Sequence, residues 1–301
     1  MAIPPDRPIK RHLTRLAVSL SLALVVSACA TAGTGPESAQ SEAFNVSAEL
    51  DAHLRMADAT LAGGDAANAA DLYRRAHELH PEKAAPLAGL GRALSQLRQE
   101  DDAAIAYQQA IARDPAEKNA LRGLAAIHIS HGDGENALAN YDALLRQDGT
   151  DHRAWNGRGV ALDSLGQHER AWKSYRAGLA IAPNNLALQN NYGLSLAMGG
   201  KAIEGIQILS ELAGAPNATP RTRQNLALAL GLAGDIEAAR QIAAIDLPPE
   251  EVAKNVAFYK QIRARQPGLD ASLPATETGA ENAALEHDQI RAIRNRWKPH
   301  L

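Results

Sequence analysis

At every thirty-fourth position this chain returns the same kind of side chain to the same place. Ala69, Ala103, Ala137, Ala171, Gly205 and Ala239 form one column, and Ala57, Gly91, Ala125, Gly159, Gly193 and Ala227 form a second. A third column holds Tyr73, Tyr107, Tyr141 and Tyr175, followed by Leu209 and Ala243. A repeat of this length is one supersecondary unit that cannot bury its apolar face alone and must stack on its neighbours. The columns run from about position 50 to 253 without an insertion.

Within one unit the order Leu87, Leu90, Gly91, Leu94, Ala103, Tyr107, Ala110, Pro115 resembles the tetratricopeptide (TPR) helix-turn-helix. Two antiparallel helices, A and B, approach closely only where facing side chains are small, which explains the Ala and Gly columns. Leu90, Leu124, Tyr192 and Leu226 on helix A, and the tyrosines on helix B, fill the gaps between. Gly64, Gly132, Gly166, Gly200 and Gly234 stand where helix A is expected to end in the left-handed region, and Arg98 breaks that column. Pro81, Pro115 and Pro183 end helix B, since Pro cannot continue a helix. Gly149 replaces Pro in one unit, and Arg158 stands where a large apolar residue is expected. The fold expected is all-α, a TPR solenoid of about six repeats over 48–264. Its last element is a capping helix that opens on Pro248, Pro249, Glu250 and Glu251 and carries Val252, Val256, Tyr259 and Ile262 as one apolar stripe. An aromatic content of 4% suits such an array, which packs on Ala and Leu.

The N-terminus follows different rules. Arg7, Lys10, Arg11 and Arg15 precede the apolar run 16–26, too short to span a bilayer but suited to a signal peptide over 1–28. Val26-Ser27-Ala28-Cys29 resembles the lipobox of bacterial lipoproteins, which makes Cys29, the sole cysteine, the expected lipidation site and excludes disulfides. The alternative is an ordinary signal peptide with an incidental cysteine. Ala30 after the cysteine, by resemblance to enterobacterial lipoproteins, implies the periplasmic face of the outer membrane. The stretch 29–47 has no helical period and reads as a flexible tether with a reach on the order of 60 Å. At the other end, 265–301 reads as largely disordered, with a short amphipathic helix over 285–297 as the alternative.

The formal net charge is -3, and the segment 1–28 carries a net +3 of it, from its four cations and Asp6. That leaves -6 on the rest of the chain, so no nucleic-acid partner is expected. His77 with His80 and His128 with His131 share helix faces, but no third ligand stands at a helical interval, so no metal or cofactor is expected. Gly89-Leu90-Gly91 and Gly157-Arg158-Gly159 fall at one repeat position and read as packing glycines rather than a phosphate loop. No nucleophile motif is present, so no catalytic residue is named and the chain is expected not to be an enzyme. What remains is the helix-A face, with Arg92, Arg122, Arg153, Asn156, Asn190 and Asn191 as the candidate groove for an extended peptide and Leu194 and Leu228 as an apolar strip. These polar residues do not follow the carboxylate-clamp pattern, and simple solvation is their other reading.

A second signal covers 190–259. Asn190-Asn191-Tyr192-Gly193-Leu194-Ser195-Leu196-Ala197, then Thr219-Pro220-Arg221-Thr222-Arg223-Gln224-Asn225-Leu226-Ala227-Leu228, then Gly231-Leu232-Ala233-Gly234-Asp235, together with the lipobox, resembles the TadD family of TPR lipoproteins of the tight-adherence (Flp) pilus system. The resemblance implies an outer-membrane-anchored, pilotin-like scaffold whose partners are a secretin or other pilus-assembly components. The alternative is a TPR lipoprotein adaptor that recruits or regulates envelope (peptidoglycan) hydrolases.

Overall fold

The computed structural model describes residues 36–265, with side chains from 48 to 264, and among these residues it holds thirteen helices and no strand. The chain divides between Ser47 and Ala48 into two units. Helix α1 (Pro36–Ala62) begins in the first, so the segment read as a tether is helical from Pro36 onward. Absence of an apolar stripe does not forbid a helix. Pro36 is tolerated in a first turn, and the Glu, Ala and Gln residues after it have good helix propensity. Cys29, the signal segment and the tail beyond 265 lie outside the described residues.

From Ala48 onward the helices pair. The B helices are α2 (Ala66–Leu79), α4 (Glu100–Arg113), α6 (Gly134–Gln147), α8 (His168–Ile181), α10 (Ala202–Ala213) and α12 (Ile236–Ala243), and their first residues keep the period of the sequence columns without a slip. Their A partners are α1 and then α3 (Ala85–Gln96), α5 (Lys118–Ser130), α7 (His152–Ser164), α9 (Leu186–Met198) and α11 (Pro220–Ala233), followed by α13 (Pro249–Arg265). From α2 on, each helix packs on the next, Ala57 and Leu61 of α1 join a cluster with Ala69, Ala70 and Tyr73 of α2, and the A helices α3, α5, α7, α9 and α11 touch in sequence.

The A-to-B turn is set by one backbone angle. Gly64, Gly132, Gly166, Gly200 and Gly234 have φ between 69° and 93°, and Arg98, in the second place of that column, is forced to φ 62°. In three of these turns the next residue caps helix B, with Asp65, Asp133 and Asp235 accepting from the N–H of Asn68, Asn136 and Ala238. Such caps contribute about 1 kcal/mol each.

The small-residue columns are fully buried, with Ala69, Ala103, Ala137, Ala171 and Ala239 all at 0% exposure. The paired glycines turn out to serve two different tyrosines. A Cβ on Gly91 or on Gly123 would collide with the Tyr107 ring, so that ring is seated between the A helix of its own repeat and that of the next. Gly89 faces Tyr73, Gly157 faces Tyr141 and Gly159 faces Tyr175 in the same manner. Helix α13 closes the last repeat, with Val252, Val256 and Tyr259 packed into one cluster with Leu226, Leu230 and Ile242. No helix among the described residues is long and apolar enough to cross a membrane.

A candidate binding cleft on the A helices

The helix-A face changes character along the array, and the repeat columns show how. The column of Arg92 reads Asp58, Arg92, Ala126, Val160, Leu194, Leu228, charged in the first two repeats and apolar afterwards. The column of Arg122 continues as Asn156, Asn190 and Gln224, and that of Arg153 as Ala187 and Arg221. Where the apolar and amide members coincide, in the third to sixth repeats, a cleft of about 640 Å³ opens. Its apolar wall comes from Ala126, Ile129, Val160, Leu186 and Leu212, and its polar wall from Asn156, Asn190, Asn191, Asn217, Thr219 and Thr222. Arg221 is the one charged lining residue, and it is exposed.

Three of the six residues singled out in sequence therefore meet in the cleft. Asn191 Nδ2 donates to Asn156 Oδ1 at 3.0 Å, and Asn190 Nδ2 to Asn191 Oδ1 at 3.4 Å. Asn190 is 6% exposed, yet its Oδ1 receives no hydrogen bond from the protein. Arg122 Nε and Gln224 Oε1, in the same column, are buried without a partner as well. A buried polar atom left unsatisfied costs about 1–3 kcal/mol, so this column carries a hydrogen-bonding capacity the fold does not use.

The three arginines do not line the cleft. Arg92 Nη2 pairs with Asp58 Oδ1 at 2.7 Å and also donates to the Tyr73 hydroxyl, bridging the first two repeats. Arg122 Nη2 pairs with Asp151 Oδ2 at 2.6 Å, on the residue that caps α7. Burial opposes ionisation of Asp151, but the Ala154 N–H and the Arg122 guanidinium outweigh it and hold the carboxyl below the usual carboxylate range. Arg153 is exposed at the start of α7. Sequence columns locate a helix face; they do not show that a carboxylate in an adjoining repeat lies within reach of that face's cations.

The segment 190–259 contributes most of the cleft's far side, through Asn190 and Asn191 on α9 and Arg221 and Thr222 on α11. Arg223, two residues on from Arg221, instead donates from Nε to Asp246 Oδ2 at 2.8 Å and from its two terminal nitrogens to Asp246 Oδ1 and the Ala218 carbonyl. It fastens α11 to the end of α12. Hydrogen bonding from Arg223 holds the Asp246 carboxyl below its ordinary range.

One polar cluster escaped the sequence reading. Asp163 accepts from Tyr175 at 2.7 Å and from Ser195 at 2.6 Å, and His168 Nδ1 lies 2.9 Å from the same Oδ1 that Ser195 meets. Ser, His and Asp are thus in contact, but Ser195 is 1% exposed and turns its hydroxyl to the Asp rather than the His, so no nucleophile is activated. The cluster ties α7, α8 and α9 together. Of the paired histidines, His128 Nδ1 lies 3.1 Å from Asp133 and His131 Nε2 3.5 Å from Glu100, and no group of three or more His, Cys, Asp or Glu side chains gathers among the described residues.

Comparison with known proteins agrees with this architecture. Residues 54–118, 88–152 and 124–185 each match the tetratricopeptide repeat. A curated relative, the uncharacterized protein y4yS of Sinorhizobium fredii (strain NBRC 101917 / NGR234), is 31% identical over 103 residues, which are 34% of this chain and 57% of that protein, so the match spans little more than half the relative's length. A tetratricopeptide repeat protein of Parabacteroides merdae ATCC 43184 superposes with a TM-score of 0.56 at 13% identity, over 70% of this chain and 84% of that one. Pseudomonas aeruginosa pilF does so with a TM-score of 0.54 at 16% identity, over 82% and 99%. At such identities the likeness concerns the fold alone. With helix pairs in one unbroken register on both sides of the matched span, the fold of residues 48–264 is a tetratricopeptide-repeat solenoid, an architecture that serves as a scaffold for protein–protein interaction.

Proposed function

We propose that this protein is an outer-membrane-anchored, pilotin-like scaffold for assembly of the Flp (Tad) pilus machinery, and that its A-helix cleft holds an extended segment of a secretin or another pilus-assembly component. The observation that carries the binding reading is Asn190 Oδ1, an acceptor buried in a cleft wall with no donor from the protein. A backbone N–H of an extended peptide supplies such a donor, and the opposite wall of Ile129, Val160 and Leu186 takes its apolar side chains. The scarcity of charge in the cleft favours an uncharged segment. The pilus assignment rests on the resemblance of 190–259 and the lipobox at Cys29 to the TadD family.

The test is Asn190→Leu. It removes a buried, unsatisfied amide oxygen at the cost of one long hydrogen bond to Asn191, so thermal stability should hold, while pilus assembly should fail and the secretin should no longer co-purify from detergent-solubilised membranes. Normal pili in that variant would remove the cleft from the mechanism. Co-purification of a peptidoglycan hydrolase in place of a pilus component would instead establish the adaptor alternative.

A further inference from the structure

The repeat supplies its own control for what stacking requires, and one place in the array departs from it on several columns at once. Arg158 stands in a column that otherwise reads Met56, Leu90, Leu124, Tyr192, Leu226. Lys173 shares its column with Asp71, Ile105, Ala139, Gln207 and Gln241, and Arg146 shares its column with Glu78, Ala112, Ala180 and Gly214. In none of the three columns does another repeat carry a cation. These three side chains nevertheless line a single pocket of about 490 Å³ between α6, α7 and α8.

The pocket has a definite chemistry. Arg158 Nε donates to Asp142 Oδ1 and its Nη1 to Ser174 Oγ, both at 2.7 Å, which fixes the guanidinium with its other terminal nitrogen unengaged. Its Cζ lies 5.8 Å from the centroid of the Trp155 ring, whose own N–H is taken by the Gly149 carbonyl. Arg146 and Lys173 stand exposed at the rim with no carboxylate partner among the described residues. Three cations thus face one carboxylate, Asp142, over a wall formed by Trp155 and Leu145. None of these residues lines the A-helix cleft.

We propose that this pocket is a second binding site, on the B-helix side of the array, for an acidic peptide segment of a protein partner. The excess positive charge selects carboxylates. The apolar wall selects a carboxylate carried on an aliphatic stem, as in a glutamate side chain, over a bare anion such as phosphate, which would leave Trp155 and Leu145 without a role. Two sites of different character, a cleft with a single charged lining residue and a pocket with three cations, allow the array to hold two segments at once.

The experiment exploits the repeat. In Arg146→Ala, Arg158→Leu, Lys173→Ala, each change installs the residue that a neighbouring repeat already carries, Ala112, Leu124 and Ala139, so the fold should be kept. Full-length protein in non-ionic detergent is titrated calorimetrically with acetylated, amidated hexaglutamate at low salt. Wild type should bind saturably, and the triple variant should bind roughly tenfold more weakly or worse, as loss of a complementary charge set does, with unchanged helicity and melting temperature. Should the triple variant melt lower, the double variant of the two exposed positions, Arg146→Ala and Lys173→Ala, carries the same expectation. Asn190→Leu should bind hexaglutamate as wild type does, which keeps this test separate from that of the cleft. No saturable binding by wild type, equal binding by the variants, or saturable binding of inorganic phosphate without binding of hexaglutamate would each overturn the proposal.

Discussion

The first four repeats and the last two solve the same stacking problem with different parts. In the first four, a tyrosine on each B helix is inserted against a glycine of a flanking A helix, Tyr107 against one on either side, and the buried apolar residues fall into separate clusters, down to four residues around Tyr175. In the last two, Leu209 and Ala243 occupy the tyrosine column, and fifteen buried residues from α9 to α13 form one continuous cluster. Two of the four tyrosines carry the ring hydroxyl to a carboxylate within the stack. Tyr73 donates to Asp58 and Tyr175 to Asp163, and burial pushes both phenols far above their usual range, so they stay protonated donors. The aliphatic repeats need no such partner, and α13 supplies the closing surface instead. Interlocked modules should therefore yield locally, and a fused core should yield as a unit.

Two truncations distinguish interlocked modules from a fused core. Tyr107→Ala should cost about 3–5 kcal/mol and Leu209→Ala about 2–5 kcal/mol, by lost burial and the cavity left behind. Hydrogen exchange distinguishes them. Tyr107→Ala should raise exchange in α3 to α5 and leave α11 to α13 protected, whereas Leu209→Ala should raise it throughout α9 to α13. Identical exchange profiles would mean that the array melts as one body and that the division is without energetic meaning.

Acid should act on the two regions more gently. Asp246 and Asp151 both have folded-state pKa values below the unfolded value, so their contribution is present above about pH 4 and is lost as pH falls through the folded pKa. Asp246→Asn should lower stability at neutral pH and flatten its pH dependence between about pH 5 and 2 for the C-terminal cluster, read again by exchange in α11 and α12. An unchanged acid profile would show that the Arg223–Asp246 pair is not a net contributor.

The smallest effect is a gain. Arg98 is the sole non-glycine residue with positive φ among the described residues, and a non-glycine residue in that region carries a penalty of about 1–2 kcal/mol. Arg98→Gly should raise stability by up to about 1 kcal/mol, since the entropy of the unfolded glycine offsets part of the relief. A loss of stability would mean that the Arg98 side chain holds the first repeats together in a way its backbone strain conceals.

Much of this was legible in the residues alone. The helix pairs, the turn glycines and the exception at Arg98 follow from the repeat period, because stacking imposes the same contact at every step and leaves the same small or large residue as its record. The A-helix face was legible too, as columns. Which member of each column lines the cleft was not. Arg92 and Arg122 are engaged by Asp58 and Asp151, carboxylates on a neighbouring helix A and at a helix cap, while Asn156, Asn190 and Asn191 remain in the cleft. A period specifies where Cβ atoms stand, whereas ion pairing depends on side-chain reach between repeats whose sequences differ at those positions. The gathering of Arg146, Arg158 and Lys173 is of the same kind, three departures scattered along the sequence that only the packing of α6, α7 and α8 brings to one pocket.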